Sequence, residues 1–118
     1  MSISEATTTQ ARADAWQTAM PLLTAMFEEL KDFGKKKPDA VVSKSKIALV
    51  NRVLEACRMV LDGQPSLVFL DLLNADDVPQ MSDAVLMLSQ YVAAMKSFND
   101  KYYYWDGSRH RWRVSKTS

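Results

Sequence analysis

Residues 13–30, ADAWQTAMPLLTAMFEEL, carry the first of three apolar stripes that decide the fold. Apolar side chains recur there at intervals of three and four residues, at Ala13, Trp16, Met20, Leu23, Phe27 and Leu30. This spacing places them on one face of an α-helix, which we predict over about 9–33. Gly34 suits a left-handed C-terminal cap of that helix. Pro21 lies inside the pattern and predicts a kink, or a break into two helices, near Ala19.

Two later segments repeat the same spacing. The second helix is predicted to begin after a cap at Ser43 or Ser45 and to end at Asp62–Gly63. The third is predicted to begin at Ser82–Asp83 and to run to about Asn99. The second stripe is Ile47, Val50, Leu54, Cys57 and Leu61, and the third is Met81, Ala84, Leu88, Tyr91, Met95 and Phe98.

The apolar run from Leu67 to Leu73 is compatible with a short buried helix or with a strand. Pro65 suits a first helical position, and no partner strand lies nearby in the sequence, so we favour a short helix. Residues 74–80 then read as a polar loop.

The C-terminal segment has the sequence form of a β-hairpin over 101–114. KYYYW (101–105) and RHRWRV (109–114) flank the turn signal Asp106–Gly107–Ser108. His110, Trp112 and Val114 then share one face of the second strand, and the arginines share the other. A loop of two or four residues adds Tyr103 and Trp105 to the aromatic face, whereas a loop of three adds Tyr102 and Tyr104. We expect that face to pack on the helices or on a second subunit, because an isolated hairpin is marginally stable.

The composition is that of one soluble domain. Of the 118 residues, 47% are hydrophobic and 25% are charged, with only three glycines and four prolines. We therefore predict a mainly α fold over 1–118: a small bundle of three long helices and one short helix, with a C-terminal β-hairpin. The polar start, residues 1–8, is expected to be flexible.

The sequence predicts a protein of the cytoplasm. No apolar run reaches the roughly 18 residues that a membrane span needs, and MSISEATTTQ lacks the basic and apolar regions of a secretory signal. The single cysteine, Cys57, cannot form an internal disulfide, and with only one histidine it cannot complete a four-ligand zinc site within one chain. Cys57 lies on an apolar stripe, so we interpret it as a core residue rather than a nucleophile.

The sequence holds few residues in catalytic patterns, and no cofactor is expected. His110 lies between two arginines, which disfavour its protonated form, so we interpret it as a packing residue rather than a base. The three glycines, at 34, 63 and 107, cannot form a phosphate-binding loop. Four aspartates could surround a magnesium ion, although a solvated loop and a helix N-terminus explain them more simply. These residues are Asp71, Asp76, Asp77 and Asp83.

By elimination, we expect a small non-enzymatic intracellular protein that acts by protein–protein contact, as an adaptor, inhibitor, immunity or accessory subunit. Broad apolar stripes on a short chain also predict self-association as a homodimer. The candidate interaction surface is the hairpin, through Tyr103, Trp105, Arg109, Arg111, Trp112 and Arg113. A nucleic-acid-binding module is the alternative, with Lys35, Lys36 and Lys37 as a second basic patch. A metal-dependent enzyme using the four aspartates is a weaker alternative.

The net charge of +1 conceals an uneven distribution. Residues 59–95 hold five acids and no base, which gives −5, whereas residues 96–118 hold six bases and two acids, which gives +4. The two segments could neutralise each other within one chain or across a dimer. Packing of the hairpin on the acidic segment would weaken the nucleic-acid hypothesis.

Overall fold

A computed structural model describes residues 6–115. Helix α1 spans Gln10–Lys36, α2 spans Lys44–Val60 and α3 spans Met81–Tyr102. Strands β1 and β2 span Tyr103–Trp105 and His110–Trp112, and two 3₁₀ helices occupy Pro65–Phe69 and Ala75–Asp77. The predicted fold class, a mainly α bundle with a C-terminal hairpin, is confirmed.

Helix α1 is one continuous helix, so the predicted alternative of a break near Ala19 is wrong. Pro21 removes a single backbone donor, and packing of α1 against both α2 and α3 holds the helix together. The predicted end at Gly34 is also wrong, because the helix continues to Lys36. An added Cβ at Gly34 would come within 3.4 Å of Met81 Cγ and 3.5 Å of Val85 Cγ2. The glycine therefore lies where α1 approaches α3 closely, rather than in a left-handed cap.

The core is built from the predicted stripes, with α1 between the other two helices. Cys57 is fully buried, as predicted, and burial raises the pKa of its thiol to about 11. The largest fully buried side chains are Tyr91, Phe98, Leu23, Leu54, Leu61, Met81, Leu88 and Met95.

The segment between α2 and α3 is tied to both helices by side-chain hydrogen bonds. The Asn51 amide donates to the Leu73 carbonyl at 2.8 Å and accepts from the Leu73 N–H at 2.9 Å. Arg58 donates to the Leu70 carbonyl, and the Tyr91 hydroxyl donates to the Asp71 carbonyl. Because these side chains bond the backbone of residues 70–73, the short buried helix predicted over 67–73 is helical only to Phe69. It is a 3₁₀ helix in which Val68 and Phe69 are exposed rather than buried, and residues 70–74 are not helical.

The hairpin begins later than predicted. Helix α3 runs to Tyr102 instead of Asn99, so residues 101–102 are helical and do not belong to the hairpin. Tyr103 pairs with Trp112 and Trp105 pairs with His110, which leaves the four-residue loop 106–109. This register puts Tyr103 and Trp105 on the face of His110 and Trp112, as predicted for a four-residue loop.

The start of the chain adds one bridge to the hairpin. Thr8 is 5% exposed, and its N–H donates to the Arg113 carbonyl at 3.0 Å. Its own carbonyl accepts from the Ser115 N–H at 2.9 Å, in a parallel bridge with Val114. The prediction of a flexible start therefore does not fit Thr8. Residues 1–5, which it also covers, lie outside the described residues.

None of the helices within residues 6–115 combines the length and the apolarity that a bilayer crossing requires.

Candidate functional site

Trp112 and Tyr103 of the predicted interaction surface anchor the hairpin to the bundle. The Trp112 ring packs edge-on against Trp16, with centroids 5.4 Å apart, and lies 6.0 Å from Phe98. Tyr103 packs on Trp112 at 5.1 Å. The Trp16 indole N–H donates to the Met95 carbonyl at 2.8 Å, which fixes the ring that receives Trp112. The aromatic face thus packs on the helices, as predicted, and two of its three candidate aromatics are half-buried.

Trp105 and His110 form the outer part of that face. Trp105 is 58% exposed and meets the His110 ring edge-on at 5.1 Å. His110 stacks on Tyr103 at 5.4 Å, with only 11° between the planes. Among the described residues, the His110 imidazole has ring contacts but neither a hydrogen bond nor an ion pair.

The candidate arginines are held largely by the hairpin itself. Asp106 Oδ1 accepts from the backbone N–H groups of Ser108 and Arg109, both at 2.9 Å. Arg111 forms an ion pair with Asp106 Oδ2 at 3.1 Å. The two N–H donors, followed by the Ser108 hydroxyl and the Arg111 charge, lower the pKa of Asp106 to about 2. Asp106 therefore organises the loop and partly neutralises Arg111.

Arg113 is similarly engaged. Its guanidinium lies 4.2 Å from the centroid of the Tyr104 ring, and it donates to the Lys101 carbonyl at 3.4 Å. Tyr104 and Arg113 thus pack on the face opposite Trp112, while Arg109 lies at the exposed turn. All six predicted residues lie in or next to the hairpin, but the aromatic ones and Arg113 are on opposite faces of it.

The second basic patch lies at the other end of α1. Lys35 and Lys36 occupy its last turn, Lys37 caps it, and Lys35 lies 3.9 Å from Asp32. Trp16, which contacts the hairpin, is 19 residues earlier on the same helix, a distance of about 28 Å along its axis. Lys35, Lys36 and Lys37 therefore do not form one surface with the hairpin arginines.

Two of the four aspartates of the metal hypothesis have structural roles of their own. Asp83 accepts from the Gln80 N–H at 2.8 Å and completes the capping box of α3. Asp71 offers its backbone carbonyl to Tyr91. Over residues 6–115, no group of three or more His, Cys, Asp or Glu side chains is arranged to bind a metal. Asp71, Asp76, Asp77 and Asp83 consequently do not converge on one site.

The surface that the sequence does not single out is a groove between α1 and α2. Its larger part, the upper depression, lies beside the first half of α1 and has a volume of about 540 Å³. Three large apolar side chains on its walls face solvent: Leu22 and Leu49 are each 56% exposed, and Met59 is 74% exposed. The lining residues are Ala15, Thr18, Ala19, Leu22 and Met26 on α1, and Leu49, Arg52, Val53, Ala56 and Met59 on α2.

The groove continues toward the C-terminal end of α1 as a second depression of about 260 Å³, the lower depression. Phe33, which is 41% exposed, lines this depression. The Lys46 ammonium lies 5.3 Å from the Phe33 ring centroid. Glu29 lies on the α1 wall of this part and Lys46 on the α2 wall. We call the two depressions together the α1/α2 groove.

A signal for this groove is present in the sequence. Ala19, Leu22 and Met26 widen the first apolar stripe beyond what one helix–helix contact covers. Periodicity predicts that these residues share a side of the helix, but it does not tell which part of a wide stripe remains uncovered. Exposed apolar side chains also occur at Val68 and Phe69 in the first 3₁₀ helix, and at Leu86 on α3, which lines a separate depression of about 390 Å³.

The chain matches no protein-family model, and neither a curated protein nor a solved structure is similar to it.

Proposed function

We propose that this protein is a small non-enzymatic interaction protein and that its binding surface is the α1/α2 groove. The observation that supports this most is the exposure of Leu22, Leu49 and Met59 along two neighbouring helices. Single exposed apolar side chains are normal on proteins, but a concave row of them is typical of a site covered by a partner.

The shape of the groove favours a helical partner. Two packed helices present parallel rows of apolar side chains, and the apolar face of a partner's helix packs against such rows. Small residues at the bottom, Ala15, Ala19 and Ala56, leave room for side chains of the partner. Met26 and Met59 supply flexible apolar walls that adapt to the bound surface.

The hairpin is a less suitable binding surface, although it carries the more conspicuous residues. Trp112 and Tyr103 already pack inward, Arg111 pairs with Asp106, and Arg113 packs on Tyr104. A partner or a nucleic acid would compete with these internal contacts, whereas Leu22 and Leu49 each remain 56% exposed.

Affinity capture with matched variants tests the proposal. Tagged wild-type protein should retain a stoichiometric protein, either a second copy or another chain, and Leu22→Glu should lose it because a buried carboxylate is costly. Leu86→Glu is the matched control, since Leu86 is a comparably exposed leucine on α3. The fold of each variant is checked by circular dichroism.

Three results would contradict the proposal. One is loss of the bound protein with Leu86→Glu but not with Leu22→Glu. Another is equal retention of that protein by both variants. The third is salt-sensitive binding of a labelled oligonucleotide that is lost on Arg111→Ala with Arg113→Ala, which would favour the nucleic-acid alternative.

A further inference from the structure

The two walls of the α1/α2 groove carry charges of opposite sign. The α1 wall contributes one charged residue, Glu29, and the α2 wall contributes two, Lys46 and Arg52. In the part of the chain that the structure describes, none of these three forms an ion pair within 4 Å. Lys46 lies over the Phe33 ring, 5.3 Å from its centroid, so its ammonium is positioned at the groove but is not neutralised by a carboxylate. All three charges therefore still lack a counter-charge from the described part of the chain.

The two walls also run in opposite directions. The upper depression joins residues 15–26 of α1 to residues 49–59 of α2, and the lower one joins residues 26–33 to residues 46–50. Glu29 consequently lies level with Lys46, and Arg52 lies near the middle of the α2 wall. A single negative charge on one wall, level with a positive charge on the other, is a pattern that a two-fold copy of itself can complement.

Two kinds of two-fold axis would bring the grooves of two copies face to face. An axis perpendicular to the helices stacks α2 on α2 and places Arg52 near Arg52 of the partner subunit, with like charges opposed. An axis parallel to the helices stacks α1 on α2 of the partner subunit at the same height. Glu29 then faces Lys46 of the partner subunit, and the same pair forms a second time by symmetry.

The available area is sufficient for such an interface. The α1 row from Ala15 to Phe33 is about 27 Å long, because each helical residue rises about 1.5 Å. Two packed helices are together about 20 Å wide. Two copies would cover about 1,100 Å² in projection, which exceeds the roughly 1,000 Å² that separates specific interfaces from incidental contacts.

From these observations we infer that a second copy of this chain covers the α1/α2 groove, in a dimer whose two-fold axis runs parallel to α1 and α2. The inference rests on the proposed role of the groove as a protein-binding surface and names its occupant. In the dimer, α1 and α2 of the two copies form a four-helix bundle made of two stacked helix pairs. Leu22, Leu49 and Met59 are then buried, and the Glu29–Lys46 pairs lie at its two edges.

Sedimentation equilibrium on the purified full-length chain gives the first test. Wild-type protein should sediment with the mass of two chains and a Kd below about 10 μM. Leu22→Glu should weaken self-association at least about 100-fold, because two carboxylates enter the interface per dimer. Leu86→Glu should leave the Kd within about 2-fold of wild type. A wild-type protein that is monomeric at high micromolar concentration would overturn the inference.

A charge-exchange experiment tests the direction of the axis. Glu29→Lys and Lys46→Glu should each weaken self-association about 10-fold, because each homodimer then holds two like-charged pairs. An equimolar mixture of the two variants should restore association to near the wild-type Kd, since the mixed dimer holds Lys–Glu pairs at both edges. The double variant Glu29→Lys with Lys46→Glu should restore it as well. Failure of both the mixture and the double variant to restore association would exclude this arrangement.

The failure of this inference and that of the proposed function give different results. If the wild-type chain is monomeric but still retains another protein that Leu22→Glu loses, the groove is a binding surface with a different occupant. If Leu22→Glu affects neither self-association nor capture, the groove is not a binding surface at all.

Discussion

The C-terminal hairpin and the α1/α2 groove are opposite kinds of surface. The hairpin has the residues most often associated with binding, yet Trp112 packs on Trp16, Arg111 pairs with Asp106 and Arg113 packs on Tyr104. The groove is made of ordinary helical residues, yet Leu22 and Leu49 remain more than half exposed. Residue type therefore identifies candidates, whereas the availability of a side chain depends on what the fold already places against it.

Mutations in the two surfaces should affect the stability of the folded single chain differently. Substitutions in the hairpin should lower the stability of the folded chain, because its contacts are internal. Substitutions in the groove should leave the single chain nearly as stable, because its contacts are made to a partner.

The largest expected effect is that of Trp112→Ala. Trp112 contacts Trp16, Phe98 and Tyr103, so its removal leaves a cavity where the hairpin meets the bundle. We expect the free energy of unfolding to fall by about 3 kcal/mol in urea titrations. The matched control is Trp105→Ala, at an exposed tryptophan of the same face, with an expected loss below about 1 kcal/mol. Equal losses for the two variants would show that the hairpin is not anchored through Trp112.

A pH effect centred on Asp106 comes next. The folded pKa of Asp106, about 2, lies below the ordinary value of 3.8. A carboxyl whose pKa is lowered by folding stabilises the folded state fully above its unfolded pKa, and this contribution is lost as the pH falls through the folded pKa. The melting temperature of wild type should therefore exceed that of Asp106→Ala at pH 5 or above, and the difference should shrink between about pH 4 and pH 2. A difference that does not change over this interval would mean that the Asp106 charge does not organise the loop.

Much of the fold could be predicted from the sequence because helix and hairpin signals are local. Apolar residues three and four apart identify the helices, and the alternation in 109–114 identifies the strand face that carries Trp112. The misplaced boundaries depend on distant partners. Gly34 stays helical where α1 lies against Met81 and Val85, and Thr8 is ordered by the carbonyl of Arg113, more than 100 residues later.

The candidate site was harder to predict than the fold, for a related physical reason. The sequence shows that Leu22 and Met26 belong to a wide apolar stripe, but exposure is set by where α2 and α3 lie around α1. Likewise, the sequence shows three arginines in alternation, but it does not show that Asp106 pairs with Arg111. The aromatic residues share one hairpin face as the alternation predicts, but periodicity does not show that Trp112 packs on Trp16.

The smallest expected effect is that of Leu49→Gln on the stability of the single chain. Leu49 is 56% exposed, so we expect the free energy of unfolding at high dilution to change by less than about 0.5 kcal/mol. The wild-type melting temperature should rise with protein concentration, as it does when a partner copy binds the folded state only, whereas that of Leu49→Gln should not.

Labelling of Cys57 separates a binding surface from a packing defect on the same side of α2. Cys57 is fully buried, so iodoacetamide reaches it only when the bundle opens. In the closed state its pKa of about 11 also leaves little reactive thiolate at pH 8. For Trp112→Ala, a loss of about 3 kcal/mol in the free energy of unfolding predicts about a 150-fold faster labelling. If Leu49 belonged to the internal packing of α2, Leu49→Gln would speed labelling about as strongly. If Leu49 serves a partner, labelling of the diluted variant stays within about 2-fold of wild type, since the equilibrium between the closed and open single chain has not changed.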